Sequence, residues 1–385
     1  MSPTDYKEKL KLEQSKFLLA AGAIFHVAIS IAALITGRLA LFGGIFDTRG
    51  LGSFAPDSGQ YFGHASSLAG TLRADGFSAW WTTSFPIHIK LYSLSIAALG
   101  PLIGQNLLAV EPLNLICFVT VLIVVFKLGS EIIDRRAGLV AAIVVALWPT
   151  YLLQSTQVLK DQLFIPAFLG LILICTRLLA RSFDLRSGLL HGFVGAVLIG
   201  WLWLVKADLW EFSLLVLLLA IALSGLKAFR ERAIPPGNIL AAALLAGGLI
   251  AAPQLLTKYR KPNPHPLLTV TGTGADQVIT INRAPGERLV TTGPVQPPSR
   301  TATGLERLRE KIAWARYLYA NYPGSTSTID PQVRLESWSE ILRYAPRALE
   351  IGLLAPFPNA WFGAGATVGR AGRILSGLEM LAMYL

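Results

Sequence analysis

Seven apolar runs dominate this sequence: 17–36, 107–126, 138–154, 162–180, 189–205, 209–226 and 238–256. A helix needs about 20 largely apolar residues to cross roughly 30 Å of hydrocarbon. A water-soluble fold has no way to hide so many such segments, so the chain is expected to be an all-α polytopic integral membrane protein. Composition agrees, with 53% of residues hydrophobic and 15% charged, against about 25% charged in soluble domains. Two later stretches, 346–363 and 374–385, are less regular; the first holds Glu350, Pro356 and Pro358. The first run follows Lys7, Lys9, Lys11 and Lys16, as in a signal peptide. Its apolar core is too long for one and lacks a small-residue cleavage site, so it reads as a retained anchor. Cys117 and Cys175 lie inside apolar runs, and no disulfide is expected.

The formal net charge is +11. A basic surplus raises the question of nucleic acid, but here it is spread thinly between apolar runs, which excludes that partner. Lys and Arg of short loops mark the cytoplasmic side. They cluster at Lys7–Lys16, Lys127/Arg135/Arg136, Arg177/Arg181/Arg186, Lys227/Arg230/Arg232 and Arg370/Arg373. If all are cytoplasmic, an even number of crossings separates neighbouring clusters. That holds everywhere provided that 86–104 (PIHIKLYSLSIAALGPLIG) does not cross and 346–363 does. The segment 86–104 is therefore expected to lie at the membrane surface or re-enter it, packed against protein. Three regions follow: a transmembrane core 1–256 with a first outer loop 37–106, an extracytoplasmic segment 257–345, and a C-terminal membrane region 346–385 that stops in mid-pattern. Within the second, 267–281 (LLTVTGTGADQVITI) reads as a β-hairpin. Residues 304–322 read as an amphipathic helix.

Polar residues in so apolar a chain are the candidates for chemistry. In PDSGQYFGHASSLA (56–69), Pro56 suits a first helical turn. Asp57, Tyr61 and His64 then share one face. A helix N-terminus favours the carboxylate anion, the form a general base needs; the plainer reading is that Asp57 only starts the helix. In QSTQVLKDQLF (154–164), Lys160 and Asp161 interrupt an apolar passage, where charge is costly and usually has a task. VKADLWEF (205–212) adds Lys206, Asp208 and Glu211 on the same outer side, and RYAPR (343–347) adds Arg343, Tyr344 and Arg347. The five histidines show no paired metal-ligand spacing. A divalent cation on Asp57 and Asp161 stays open. TGTG at 271–274 lacks the lysine and helix of a phosphate loop and reads as a turn. The nine tryptophans read as interfacial anchors.

The order of these parts resembles the GT-C glycosyltransferases, especially bacterial relatives of protein O-mannosyltransferases and aminoarabinose transferases. The likeness rests on PDSGQY (56–61), FPIHIK (85–90), DRRAGLVAAIVVALWP (134–149) and QVLKDQL (157–163), covering roughly 15–210. The first motif has Asp-Ser where many relatives carry two adjacent acids, and the second has Lys before Asp. The resemblance implies a GT-C fold in a bacterial inner membrane, with the N-terminus cytoplasmic and the site outside. It implies transfer of a sugar from a polyprenyl-phosphate donor to a protein, lipid or polysaccharide acceptor. Asp57 would be the general base, and Asp161 would position the acceptor or a metal. Lys160, Lys206, Arg343 and Arg347 are candidate phosphate partners, and Tyr61, His64, His88, Lys90 and Asp208 complete the candidate substrate-binding set. The alternative is a non-enzymatic lipid-linked sugar flippase or transporter.

Overall fold

The computed structural model describes residues 3–41, 45–231, 235–259, 268–271, 278–284, 287–292, 304–320, 328–363 and 369–384. Its helices run in order as α1 (Pro3–Arg38), α2 (Pro56–Thr82), α3 (Ile87–Ile103), α4 (Glu111–Ile132), α5 (Arg135–Leu147), α6 (Pro149–Ser155), α7 (Asp161–Ala180), α8 (Leu185–Lys206), α9 (Trp210–Glu231) and α10 (Pro236–Leu256). Strands β1 (Leu268–Thr271), β2 (Val278–Ala284) and β3 (Glu287–Thr292) follow, then α11 (Gly304–Ala320), α12 (Trp338–Leu354) and α13 (Gly369–Tyr384). The chain divides into two compact units, Met1–Asn263 and Pro264–Leu385.

Among the described residues, six helical stretches are long and apolar enough to cross a membrane: Phe17–Arg38, Glu111–Ile132, Asp161–Ala180, Leu185–Lys206, Trp210–Lys227 and Pro236–Tyr259. The chain is thus a predominantly helical polytopic membrane protein. The expected seventh run, 138–154, is two helices, α5 and α6, bent by 65°. Pro149 opens α6 and forces the break, because its ring disfavours a helical residue before it; Trp148 is extended (φ −68°, ψ 112°).

Ion pairing decides whether the bent pair crosses. Near the end of α4, Glu131 takes both Arg181 Nε (2.5 Å) and Arg181 Nη2 (2.7 Å), just past the end of α7. Residues 131 and 181 therefore lie at one membrane face, and an even number of crossings must separate them. With α7 as one crossing, α5–α6 supplies the other. Asn238 at the start of α10 donates to the Leu178 and Arg181 carbonyls (2.9 Å each) and so joins the same end.

The α8–α10 interface explains itself from sequence. Gly188, Gly192 and Gly195 form a stripe that lets backbones touch, as small residues do in membranes. A Cβ added at Gly188 would stand 2.2 Å from the Gly237 carbonyl oxygen. The α3 segment is an apolar helix of 17 residues, shorter than the spanning helices.

In the second unit, β1–β2–β3 is an antiparallel sheet, with Leu268 facing Ile281 and Val278 facing Thr292. The paired strands β1 and β2 are the hairpin expected over 267–281. The C-terminal region differs from expectation. Arg347 on α12 and Arg373 on α13 line one cavity of about 590 Å³, so no crossing roughly 30 Å thick separates them. The crossing expected over 346–363, and with it a cytoplasmic Arg370/Arg373 on the far side, is corrected. The cause is patterning rather than mean hydropathy: α12 keeps Glu340, Arg343, Arg347 and Glu350 on one side and exposes Leu342, Leu349 and Leu353 on the other.

Candidate functional site

Hydrogen bonds join the two acidic motifs, though about a hundred residues separate them. The Val158 N–H donates to Ser58 Oγ (3.0 Å), and the Gly52 N–H donates to Gln157 Oε1 (2.8 Å). Asn114 Nδ2 donates to the Thr156 carbonyl (2.8 Å), and the Tyr92 hydroxyl donates to Asn114 Oδ1 (2.9 Å) and to the Leu159 carbonyl (3.1 Å). Ser58, Asn114 and Gln157 are wholly buried, so these bonds form away from water and fix the turn 156–159 firmly. That turn delivers Lys160 and Asp161 at the start of α7, while the loop ending at Ala55 delivers Asp57 in the first turn of α2.

The side chains continue the connection. The Tyr61 hydroxyl donates to Asp57 Oδ2 (3.3 Å), as the i, i+4 spacing requires. The Tyr61 ring meets His88 edge to face, with centroids 4.9 Å apart. His88, from α3, is 4% exposed, and neither ring nitrogen has a hydrogen-bond partner among the described residues. Burial, then the Lys160 charge, pushes its pKa down to about 3, with Asp161 opposing. Asp161 forms an ion pair with Lys206 from the end of α8, and the Lys206 ammonium also stands over the Phe164 ring (5.7 Å). Asp57, Tyr61, His88, Lys160, Asp161 and Lys206 thus come from four elements to one neighbourhood. It lies at the bundle end opposite Glu131 and Arg181, because Asp161 and Lys206 occupy the other termini of α7 and α8.

The remaining candidates have surroundings of their own. Lys90 donates to the Trp81 carbonyl (2.5 Å) and stacks over Trp80 and Trp81, so it fastens α3 to the end of α2. That end turns through Gly76, whose φ of 84° breaks the helix. His64 lies against Phe85, ring centroids 5.4 Å apart. Asp208 lies on the turn after α8, its side chain outside the described residues. Arg343 and Arg347 belong to the second unit. There Arg347 Nε donates to Asp330 (3.1 Å) and Nη1 to Glu350 (2.9 Å), while Arg343 is exposed on α12. The Asp330 carboxyl is held below the usual carboxylate range by Arg347 and Tyr344. Among the described residues, no three of His, Cys, Asp and Glu gather as a metal would require.

The sequence reading passed over a buried network. His26 in α1 bonds Glu111 Oε1 through Nδ1 (2.7 Å) and Ser155 Oγ through Nε2 (3.0 Å), and Ser30 donates to Glu111 Oε2 (2.6 Å). A histidine inside the first apolar run was the available signal.

Compared with known proteins, the chain matches no family model, no curated protein and no solved structure. Its fold therefore defines the class: a helical polytopic membrane protein whose polar cluster sits at one end of the bundle.

Proposed function

We propose that this protein is a membrane glycosyltransferase of GT-C type, moving a sugar from a polyprenyl-phosphate donor to an acceptor hydroxyl on the extracytoplasmic side. The supporting observation is the convergence of Asp57 with Lys160, Asp161 and Lys206 at the bundle end opposite the basic one. By the positive-inside tendency, the end carrying Lys127, Arg135, Arg181 and Arg186 is cytoplasmic, which puts the cluster outside. A lipid phosphate lies at that depth.

In the reaction, the Asp57 carboxylate takes the acceptor hydroxyl proton. The acceptor oxygen forms a bond to the anomeric carbon while the bond from that carbon to the phosphate oxygen breaks. The electron pair leaves with polyprenyl phosphate. Lys160 and Lys206 stabilise the charge on that phosphate, and Asp161 holds the Lys206 ammonium until the donor competes for it.

A second reading, lipid-linked sugar transport, draws support from the His26–Glu111 pair, because transporters carry ionisable groups within their spans. Purified protein in vesicles, given a panel of labelled polyprenyl-phosphate sugars and cell-envelope acceptors, separates the two. Transfer of label with release of polyprenyl phosphate supports the enzyme. Translocation of intact lipid without transfer refutes it.

A further inference from the structure

His88 is an energetic anomaly. Buried polar atoms are nearly always hydrogen-bonded, and each one left unpaired costs about 1–3 kcal/mol. Here two nitrogens of one ring lack partners, within a neighbourhood that also contains Tyr61, Lys160 and Asp161. A histidine kept only for packing would be replaced at no loss by an apolar ring of similar size. A ligand able to pair with both nitrogens would relieve that cost.

The chemistry of the ring narrows what that partner is. A neutral imidazole offers one N–H donor and one bare acceptor nitrogen. A phosphate dianion supplies acceptors only, so it would leave the bare nitrogen unpaired, and it would gain no charge from His88. The nearby cations, Lys160 and Lys206, suit the phosphate instead. A pair of hydroxyls, each able both to donate and to accept, satisfies both nitrogens. A sugar ring carries such pairs.

We propose that His88 recognises hydroxyls of the transferred sugar, so that α3 reads the sugar while α7 and α8 hold the phosphate. This assignment rests on the glycosyl-transfer reading. It makes His88 a substrate-binding residue that stays neutral throughout the physiological pH range.

The test uses the full chain in nanodiscs and two kinds of probe: polyprenyl phosphate, and a panel of polyprenyl-phosphate hexoses and pentoses. His88→Phe should bind sugar-free polyprenyl phosphate as wild type does, and bind its best sugar-bearing probe about tenfold or more weakly, as expected for two lost hydrogen bonds. Without ligand, His88→Phe and His88→Leu should melt at or above the wild-type temperature, because the unpaired nitrogens are gone. Equal binding of every sugar-bearing probe by variant and wild type overturns the assignment. So does equal weakening toward both kinds of probe, or a lower Tm in both variants, which would mark the imidazole as structural. If wild type binds neither kind of probe, the glycosyl-transfer reading fails and the assignment fails with it.

Discussion

The two acids of the cluster have different surroundings, and these assign them different work. Asp161 is neutralised by Lys206. Its carboxylate is occupied in holding that ammonium in place. The recorded side-chain partner of Asp57 is the Tyr61 hydroxyl at 3.3 Å, which orients the carboxylate without cancelling its charge. In the proposed reaction, Asp57 is therefore assigned as the base and Asp161 as the holder of a phosphate-binding lysine. Lys206→Ala should therefore raise the apparent Kd for the lipid donor about tenfold, the worth of one charge-assisted contact, while leaving the pH dependence of turnover unchanged. Titration with polyprenyl-phosphate sugar at several pH values checks both halves. At this scale the sequence was informative where polarity interrupted an apolar run, as at Lys160 and Asp161. It was uninformative about the partners of Lys90: a spacing of two residues turns it away from His88 on a helix, but nothing local says that Trp80 and Trp81 wait there. His88 itself entered only as part of a motif; its unpaired state is a property of packing that no local pattern encodes.

At the scale of elements, long polar bonds hold this apolar bundle in register. The His26–Glu111–Ser30–Ser155 network ties α1 to α4 and α6, and every nitrogen and carboxylate oxygen of the pair is used. Breaking a buried pair strands the remaining partner, at a cost on the order of 3 kcal/mol. Glu111→Ala should accordingly lower the melting temperature in detergent by several degrees. An unchanged Tm would show that the pair contributes no net stability. Most spans were legible from hydropathy, because a bilayer imposes length and apolarity on any crossing helix. Their ends moved by several residues: the run beginning at 107 starts as an α-helix only at Glu111, where Pro112 suits the first turn because its missing N–H costs nothing there. The bend at Pro149 and the amphipathic side of α12 escaped the hydropathy reading for one reason. A window average ignores both where proline falls and which side of a helix its charges take.

At the scale of the whole molecule, the account is one of sidedness. Among the described residues, six spanning helices and the bent α5–α6 pair put the Lys160–Asp161–Lys206 cluster and the Glu131–Arg181 pair at opposite ends. With the basic end cytoplasmic, a reporter at Gln105 and one placed after Tyr384 should both give an external signal; a cytoplasmic signal at either site contradicts this topology. The pairing of Ser58 with Val158 was not readable, because contacts across a hundred residues leave no local trace. The central claim is that Asp57 takes the proton in a sugar transfer, and side-by-side turnover of wild type and Asp57→Asn with a polyprenyl-phosphate sugar donor tests it most directly. Asn keeps the shape and loses the basicity, so kcat should fall by about 10²–10⁴ with donor binding unchanged. Equal turnover by the two proteins would contradict the account.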